Sequence, residues 1–189
     1  TDAQSAAVAR REMTTTEAGM LRAFSNYVCV ATDASERLPQ IKFRRARIYY
    51  ETNQFEEAAL LFQEIAFTHR DTEYGIPAAN LYLDSLNTLA TLRAPNNPEC
   101  LGDFENVLDP FNAMYCSTPE VAARSEGLCG VLADARCVLK RRRAEALSTS
   151  GRHLEAAYAY RDLFRENARM PEDQRCGSEE HRHLVQFLH

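Results

Sequence analysis

The chain has 189 residues, 45% of them hydrophobic and 26% charged, a balance typical of a folded globular protein rather than a disordered one. Its 7 glycines and 7 prolines are too few for an all-β domain with many tight turns, and no apolar run approaches the roughly 20 residues of a membrane-spanning helix. The formal net charge of -5 disfavours general affinity for nucleic acid.

The spacing of apolar residues predicts a series of helices along the whole chain. They are expected over about residues 4–31, 39–52, 55–69, 76–93, 101–114, 119–149, 152–169 and 179–188. Pro95 and Pro98 exclude a helix between the fourth and fifth of these, because proline is not tolerated in a helix interior. An interruption is expected near Gly19, and a weak point at 127–130.

Residues 44–66 and 142–164 carry the same pattern. The shared stripe consists of Phe55, Ala58, Ala59, Phe62, Ile65 and Ala66, matched by His153, Ala156, Ala157, Tyr160, Leu163 and Phe164. Its spacing is one face of an α-helix, so a packing role is expected even for His153. Asn53 and Gly151 precede the two stripes and are residue types that accept a positive φ. Each segment is therefore predicted to be an antiparallel helical hairpin.

These positions resemble the tetratricopeptide repeat (TPR). The matching residues are Ala46, Tyr49, Asn53, Phe55, Ala58 and Phe62, then Ala144, Leu147, Gly151, Ala156 and Tyr160, with a partial third copy beginning at Ala79 and Tyr82. The resemblance implies an all-α fold, a right-handed superhelical solenoid of antiparallel helical hairpins in a single domain over 1–189. Clear hairpins are expected at about 39–69 and 128–169, with an irregular unit containing cysteine and proline at about 74–127.

A solenoid exposes an apolar face at each terminal hairpin unless a cap covers it. The apolar residues after the second hairpin are Leu184, Val185, Phe187 and Leu188. We expect them to form a capping helix that packs onto this hairpin. The alternative is an interface with a downstream domain.

Motifs of catalysis are absent from the sequence. It has no glycine-rich phosphate loop, no His-Glu-x-x-His helix and no nucleophile elbow, and its cysteine spacing matches no C-x-x-C zinc pattern. We therefore expect no enzymatic activity, no cofactor and no metal site. Glu179, Glu180, His181 and His183 are interpreted as a solvated polar segment rather than as metal ligands.

The even number of cysteines, 6, permits complete pairing. The disulfide candidates are Cys100, Cys116, Cys129 and Cys137: a bridge from either of the first two to either of the last two would tie the irregular connection to the long helix after it. Alternatively, some of them are small apolar core residues, and a weaker hypothesis is a thiol-redox role for Cys129 and Cys137. The cysteine content favours a periplasmic or otherwise exported protein, with the cytoplasm as the alternative.

The TPR resemblance implies a concave groove, lined by the first helix of each hairpin, that receives a peptide or a partner helix. The candidate partner-binding residues are Arg44, Arg47, Tyr50, Glu51, Arg141, Arg142 and Glu145. Arg44 and Arg142 occupy matched positions, and arginines there can bind the carboxylates of an acidic segment or a C-terminus. The alternative is a solvated polar face with local pairs such as Arg47 with Glu51.

We therefore expect a non-enzymatic protein–protein interaction scaffold or adaptor. The spacing within 41–70 is similar to repeats of envelope-assembly and Tol-associated proteins, which implies a fragment of a larger, envelope-associated assembly protein in bacteria. The alternative is a regulatory domain that senses a ligand or peptide and controls an attached output module. The expected partner is a protein or peptide, and neither nucleic-acid binding nor membrane insertion by this segment is expected.

Overall fold

A computed structural model describes residues 9–32, 35–93, 99–125 and 127–169 of the chain. Within these ranges the chain forms eight helices and no strand, which confirms the all-α prediction. The helices are α1 (Thr15–Val30), α2 (Leu38–Glu51), α3 (Phe55–Thr68), α4 (Gly75–Arg93), α5 (Glu99–Tyr115), α6 (Pro119–Arg124), α7 (Leu128–Thr149) and α8 (His153–Arg169). The helix predicted at 179–188 lies outside the described residues.

The first described helix begins at Thr15, after non-helical residues 9–14 that the prediction had included, and it is not interrupted. It starts after Thr14, whose hydroxyl accepts a hydrogen bond from the Glu17 backbone N–H (3.2 Å), while the Glu17 carboxylate accepts one from the Thr14 N–H (2.8 Å). This reciprocal capping box satisfies backbone donors that a helix start otherwise leaves unpaired. The helix then continues through Gly19, so the predicted interruption there is wrong.

The long helix predicted over 119–149 is divided at its weak point into α6 and α7. Gly127 has a φ of 85°, a left-handed conformation that glycine adopts without steric cost, and α7 starts directly after it. The buried Ser125 hydroxyl donates to the Tyr115 carbonyl (2.7 Å) and lies 2.9 Å from the Val121 carbonyl. Gly130, by contrast, lies within continuous α7.

The chain divides into two compact units, residues 1–89 and 90–189. In the first unit, α2 and α3 pack against each other as a hairpin, and α1 packs against α2 without burying any residue completely. The six stripe residues of α3 are all buried, with exposed fractions from 0% to 7%. The Phe62 ring meets the ring of Phe43 at 5.5 Å between centroids. The predicted stripe of this helix is confirmed.

In the second unit, α7 contacts both α5 and α8. Ala156, Tyr160 and Leu163 of α8 are buried as predicted. The other three predicted stripe positions, His153, Ala157 and Phe164, are exposed, so the expected packing role of His153 is wrong. α8 is the last helix of the described residues, whereas α3 is followed by α4.

The turns of the two hairpins have the same hydrogen bonds. After α2, the Gln54 N–H donates to the Tyr49 carbonyl (2.8 Å) and the Asn53 N–H to the Tyr50 carbonyl (3.0 Å). After α7, the matched bonds join Arg152 to Leu147 (2.9 Å) and Gly151 to Ser148 (3.1 Å). This is the pattern of a Schellman cap, which requires a left-handed residue. Asn53 (φ 58°) and Gly151 (φ 82°) supply that residue, as predicted.

Candidate functional site

The predicted partner-binding residues lie on two helices in different units. We refer to Arg44, Arg47, Tyr50 and Glu51 as the α2 surface, and to Arg141, Arg142 and Glu145 as the α7 surface. On each surface, one arginine pairs with a glutamate one turn later. Arg47 lies 2.6 Å from Glu51, and Arg141 lies 3.5 Å from Glu145. Such pairs within one exposed helix contribute only about 0.3–0.5 kcal/mol, so they hold their side chains weakly.

Tyr50 connects two helices of the first unit. Its hydroxyl donates a 2.5 Å hydrogen bond to the Asp84 carboxylate on α4, and its ring meets the Phe55 ring edge-on, with the centroids 5.5 Å apart. Burial and the hydrogen bond to Asp84 raise the pKa of Tyr50 to about 12. The phenol therefore remains protonated at physiological pH and stays a donor. The sequence pattern does not indicate Asp84, which follows Tyr50 by 34 residues.

Arg44 has different surroundings from the other arginines of these surfaces. Its side chain is exposed and forms no ion pair with any residue that the structure describes. The nearby Tyr74 ring packs against the ring of Phe43, with centroids 5.4 Å apart. Burial is the main factor that raises the pKa of Tyr74, and the positive charge of Arg44 partly opposes this rise. Arg44 thus presents its guanidinium to solvent.

Arg142 matches Arg44 in the repeat but not in its contacts. Its guanidinium donates a 2.9 Å hydrogen bond to the Thr91 hydroxyl. The side chain is half-buried, whereas that of Arg44 is exposed. Thr91 belongs to the same compact unit as Arg142, so this bond stabilises that unit. The two arginines at matched positions therefore differ in their availability to a partner.

The basic residues next to the α7 surface bind acidic residues of the same unit. Lys140 lies 2.5 Å from Glu166 and 3.7 Å from Glu105, and Arg143 lies 3.6 Å from Glu99 and 4.0 Å from Glu105. Lys140 and Arg143 therefore join α7 to acidic residues of α5 and α8 and do not form an open basic patch. Sequence reasoning missed the acidic partners, because nothing in the local patterns of α5 and α8 places them opposite these basic residues.

One disulfide joins Cys116 to Cys129, with the two Cα atoms 5.7 Å apart. It connects the end of α5 to the first turn of α7, a pairing among those that the sequence left open. Cys137 is disulfide-bonded as well. Cys29 and Cys100 are free thiols, so Cys100 is wrong as a disulfide candidate. Cys100 lies in the first turn of α5, about 22 Å along the helix from its last residue, Tyr115. Cys129 lies next to that last residue, beside Cys116.

The described residues contain no group of three or more His, Cys, Asp and Glu side chains that could hold a metal ion. His181 and His183, with Glu179 and Glu180, lie outside the described residues. None of the described helices combines the length and the apolar character that crossing a membrane requires.

Compared with known proteins, the chain matches no protein-family model, no curated protein and no solved structure.

Proposed function

We propose that this chain is a non-enzymatic protein–protein interaction scaffold whose hairpins stack as a right-handed, TPR-like solenoid and whose α2 surface binds an acidic segment of a partner. The two matched turns support the solenoid, since hairpins that close with the same hydrogen bonds are suited to repetition along one axis. The disulfide between Cys116 and Cys129 supports an exported location, because such bonds persist mainly in oxidising compartments.

The observation that carries the acidic-segment proposal is the exposed guanidinium of Arg44. It has no acidic partner among the described residues, although the chain as a whole carries 27 acidic residues against 22 basic ones. A guanidinium offers donors in a planar fork that fits a carboxylate with two parallel hydrogen bonds.

Arg47 supplies a second guanidinium to the same segment. It is one turn from Arg44, at the i, i+3 spacing that brings side chains together on a helix. Its bond to Glu51 is exposed, with side-chain exposures of 54% and 50%, so an incoming carboxylate can displace Glu51 at little cost. Tyr50, held by Asp84, keeps this part of α2 in one position relative to α4.

A library of displayed peptides, selected on the purified protein, tests the proposal directly. We expect the selected peptides to be enriched in Asp and Glu and to bind less tightly as salt increases. Arg44→Glu is expected to weaken their binding by roughly 10- to 100-fold, the effect of losing a charge-assisted hydrogen bond. The matched control is Arg22→Glu on α1, another exposed arginine, which is expected to leave the affinity unchanged.

Charge reversal provides the complementary measurement. Selection on the Arg44→Glu protein is expected to enrich basic peptides in place of acidic ones. Peptides without acidic enrichment on the native protein, or with equal affinity for the native and Arg44→Glu proteins, would contradict the proposal.

A further inference from the structure

Arg45 of α2 carries a buried polar atom that has no partner. Its Nε is shielded from solvent and finds no hydrogen-bond acceptor among the described residues. Its guanidinium forms no ion pair with those residues either, whereas Arg47 on the same helix binds Glu51. Burying an N–H group without an acceptor costs the hydrogen bonds that the group made to water. The surroundings of Arg45 therefore lack an acceptor that its side chain needs.

Arg45 lies on the side of α2 that faces away from α3. Phe43 of α2 packs against Phe62 of α3, and Arg45 is about 200° further around the helix axis than Phe43. Leu38 and Thr52, seven residues before and after Arg45, lie on the same side of α2 and are buried. Because α3 occupies the opposite side, we infer that α1, which also packs against α2, covers this stripe.

α1 covers this stripe without offering it a free carboxylate. The half-buried residues along its face toward α2 follow a helical spacing: Ala18, Leu21, Ser25 and Val28. The acidic residue within α1 is Glu17, and its carboxylate already binds Arg11 (2.7 Å) and the Thr14 N–H (2.8 Å). No residue of α1 is completely buried. The helix is therefore held on α2 by few apolar contacts and leaves Arg45 unpaired.

Contacts at both ends show that α1 and α2 run antiparallel. The Arg11 N–H donates to the Thr52 carbonyl at one end (3.0 Å), and the hydroxyls of Tyr27 and Ser35 lie 2.9 Å apart at the other. Counting residues inward from these two contacts brings Arg45 level with the first turns of α1, close to Ala18. A methyl group at this position leaves space for a guanidinium but provides no acceptor.

We propose that the side of α2 beneath α1 is an interaction surface for a partner helix that carries a carboxylate on its apolar side. We call this surface the Arg45 face, and it consists of Leu38, Arg45, Ile48 and Thr52. Complementary charge identifies the partner, because a carboxylate supplies the acceptor that the buried guanidinium lacks. α1 occupies the Arg45 face in the absence of the partner and is displaced when the partner binds.

The Arg45 face is separate from the α2 surface proposed above to bind an acidic segment. Arg44 is about 100° and Arg47 about 200° around the helix axis from Arg45. Both of those side chains are exposed, whereas Arg45 is half-buried. The two surfaces can therefore be tested independently.

A synthetic peptide with the sequence of residues 13–32 and the substitution Ala18→Glu tests the proposal. It also carries Cys29→Ser to prevent disulfide exchange. We expect it to bind the full chain roughly 10- to 100-fold more tightly than the same peptide with the native alanine, the effect of one charge-assisted hydrogen bond. The matched control is a peptide with Ala23→Glu, because Ala23 is an exposed alanine of the same helix. Its affinity is expected to equal that of the peptide with the native alanine.

Hydrogen exchange and two variants of the protein locate the binding. With an isotopically labelled peptide, we expect exchange in α1 of the chain to become faster on binding, since that helix is displaced. Arg45→Met is expected to abolish the preference for the Ala18→Glu peptide, whereas Arg44→Glu is expected to preserve it. Equal affinities of the three peptides, no binding, unchanged exchange in α1, or a preference that survives Arg45→Met would each overturn the proposal.

The same two alanine substitutions within the full chain provide a measurement that needs no variant of Arg45. Ala18→Glu is expected to slow hydrogen exchange in α1 by roughly 10-fold or more relative to Ala23→Glu, because α1 then supplies the acceptor itself. It is also expected to weaken binding of the Ala18→Glu peptide, which must displace a helix that is held more tightly. Equal exchange rates of α1 in the two variants would overturn the proposal.

Discussion

The α2–α3 hairpin and the α7–α8 hairpin share one sequence pattern and one turn, but their second helices are covered to different extents. Ala59 and Ala66 of α3 are buried, while the matched Ala157 and Phe164 of α8 are exposed. A difference of the same kind separates the matched arginines, since Arg44 is exposed and Arg142 binds Thr91. A repeated pattern therefore determines how a hairpin closes, while its neighbours determine which of its residues remain available.

The largest effect that separates the hairpins is expected in their cores. Phe62→Ala is expected to reduce the free energy of unfolding by about 3–5 kcal/mol, because the side chain is fully buried and would leave a cavity. Tyr160→Ala is expected to cost less, since Tyr160 is 5% exposed whereas Phe62 is completely buried and also packs against the rings of Phe43 and Tyr50. Urea unfolding measures the loss, and hydrogen exchange of α3 and α8 assigns it to a unit. An equal or larger loss at Tyr160 would contradict the comparison.

The next effect concerns the disulfide of the second unit. Replacing Cys116 and Cys129 together by serine is expected to reduce the free energy of unfolding by about 2–4 kcal/mol, since the bond restricts the unfolded chain across a separation of 13 residues. Hydrogen exchange is expected to increase in α5 and α7 and to remain unchanged in α2 and α3. Cys29→Ser serves as the control, because Cys29 is an exposed free thiol. Uniform exchange throughout both units would show that their stabilities are not separable.

A smaller effect is expected at the turns, which have the same hydrogen bonds in the two hairpins. Gly151→Ala is expected to reduce stability by about 1–2 kcal/mol, because a residue with a Cβ is strained at a φ of 82°. Space is not the cause, since a Cβ there would meet no atom within 4 Å. Gly151→Asn, which introduces the residue of the first hairpin, is expected to cost less than alanine. Thermal unfolding compares the two variants, and equal losses would argue against a shared turn conformation.

The smallest effect is a dependence on pH that is specific to the second hairpin. Arg152 donates hydrogen bonds of 2.8 Å and 2.5 Å to Glu155, and this lowers the pKa of Glu155. The residue of the first hairpin that matches Arg152 is Gln54, which carries no charge. The stabilising contribution of Glu155 is therefore present above the ordinary pKa of glutamate and is lost as the pH falls through the lowered value.

Comparing the pH dependence of the free energy of unfolding for the native protein and Glu155→Gln isolates this contribution. We expect the native protein to lose slightly more stability on acidification than the variant. Parallel curves would show that the Arg152–Glu155 contact contributes nothing to folding.

Several features of the fold were within reach of sequence reasoning because they depend on neighbouring residues in the chain. The helices, the positive φ of Asn53 and Gly151 and the buried stripe of α3 were all predicted. The start of α1 was predictable too, since Thr14 and Glu17 form the spacing of a capping box. That signal lies entirely within the local sequence, whereas apolar periodicity alone places the start of the helix earlier.

The surroundings of the candidate site were not predictable in this way. The bond from Tyr50 to Asp84 and that from Arg142 to Thr91 join residues 34 and 51 positions apart. The choice of Cys116 over Cys100 as the partner of Cys129 likewise depends on where the connection after α5 returns. No periodic pattern in the sequence predicts such pairings, because each depends on how separate helices pack against one another.

By itself, the sequence determined that the described chain is helical, where its two matched hairpins turn and which stripe of each second helix is apolar. Those properties arise from backbone hydrogen bonds and side-chain spacing within a few residues. Only the tertiary structure decided that the stripe of α3 is completely covered while that of α8 is not, and that Arg44 remains open to solvent while Arg142 is engaged. Burial and pairing are properties of what lies opposite a side chain, and distant parts of the chain supply that neighbour.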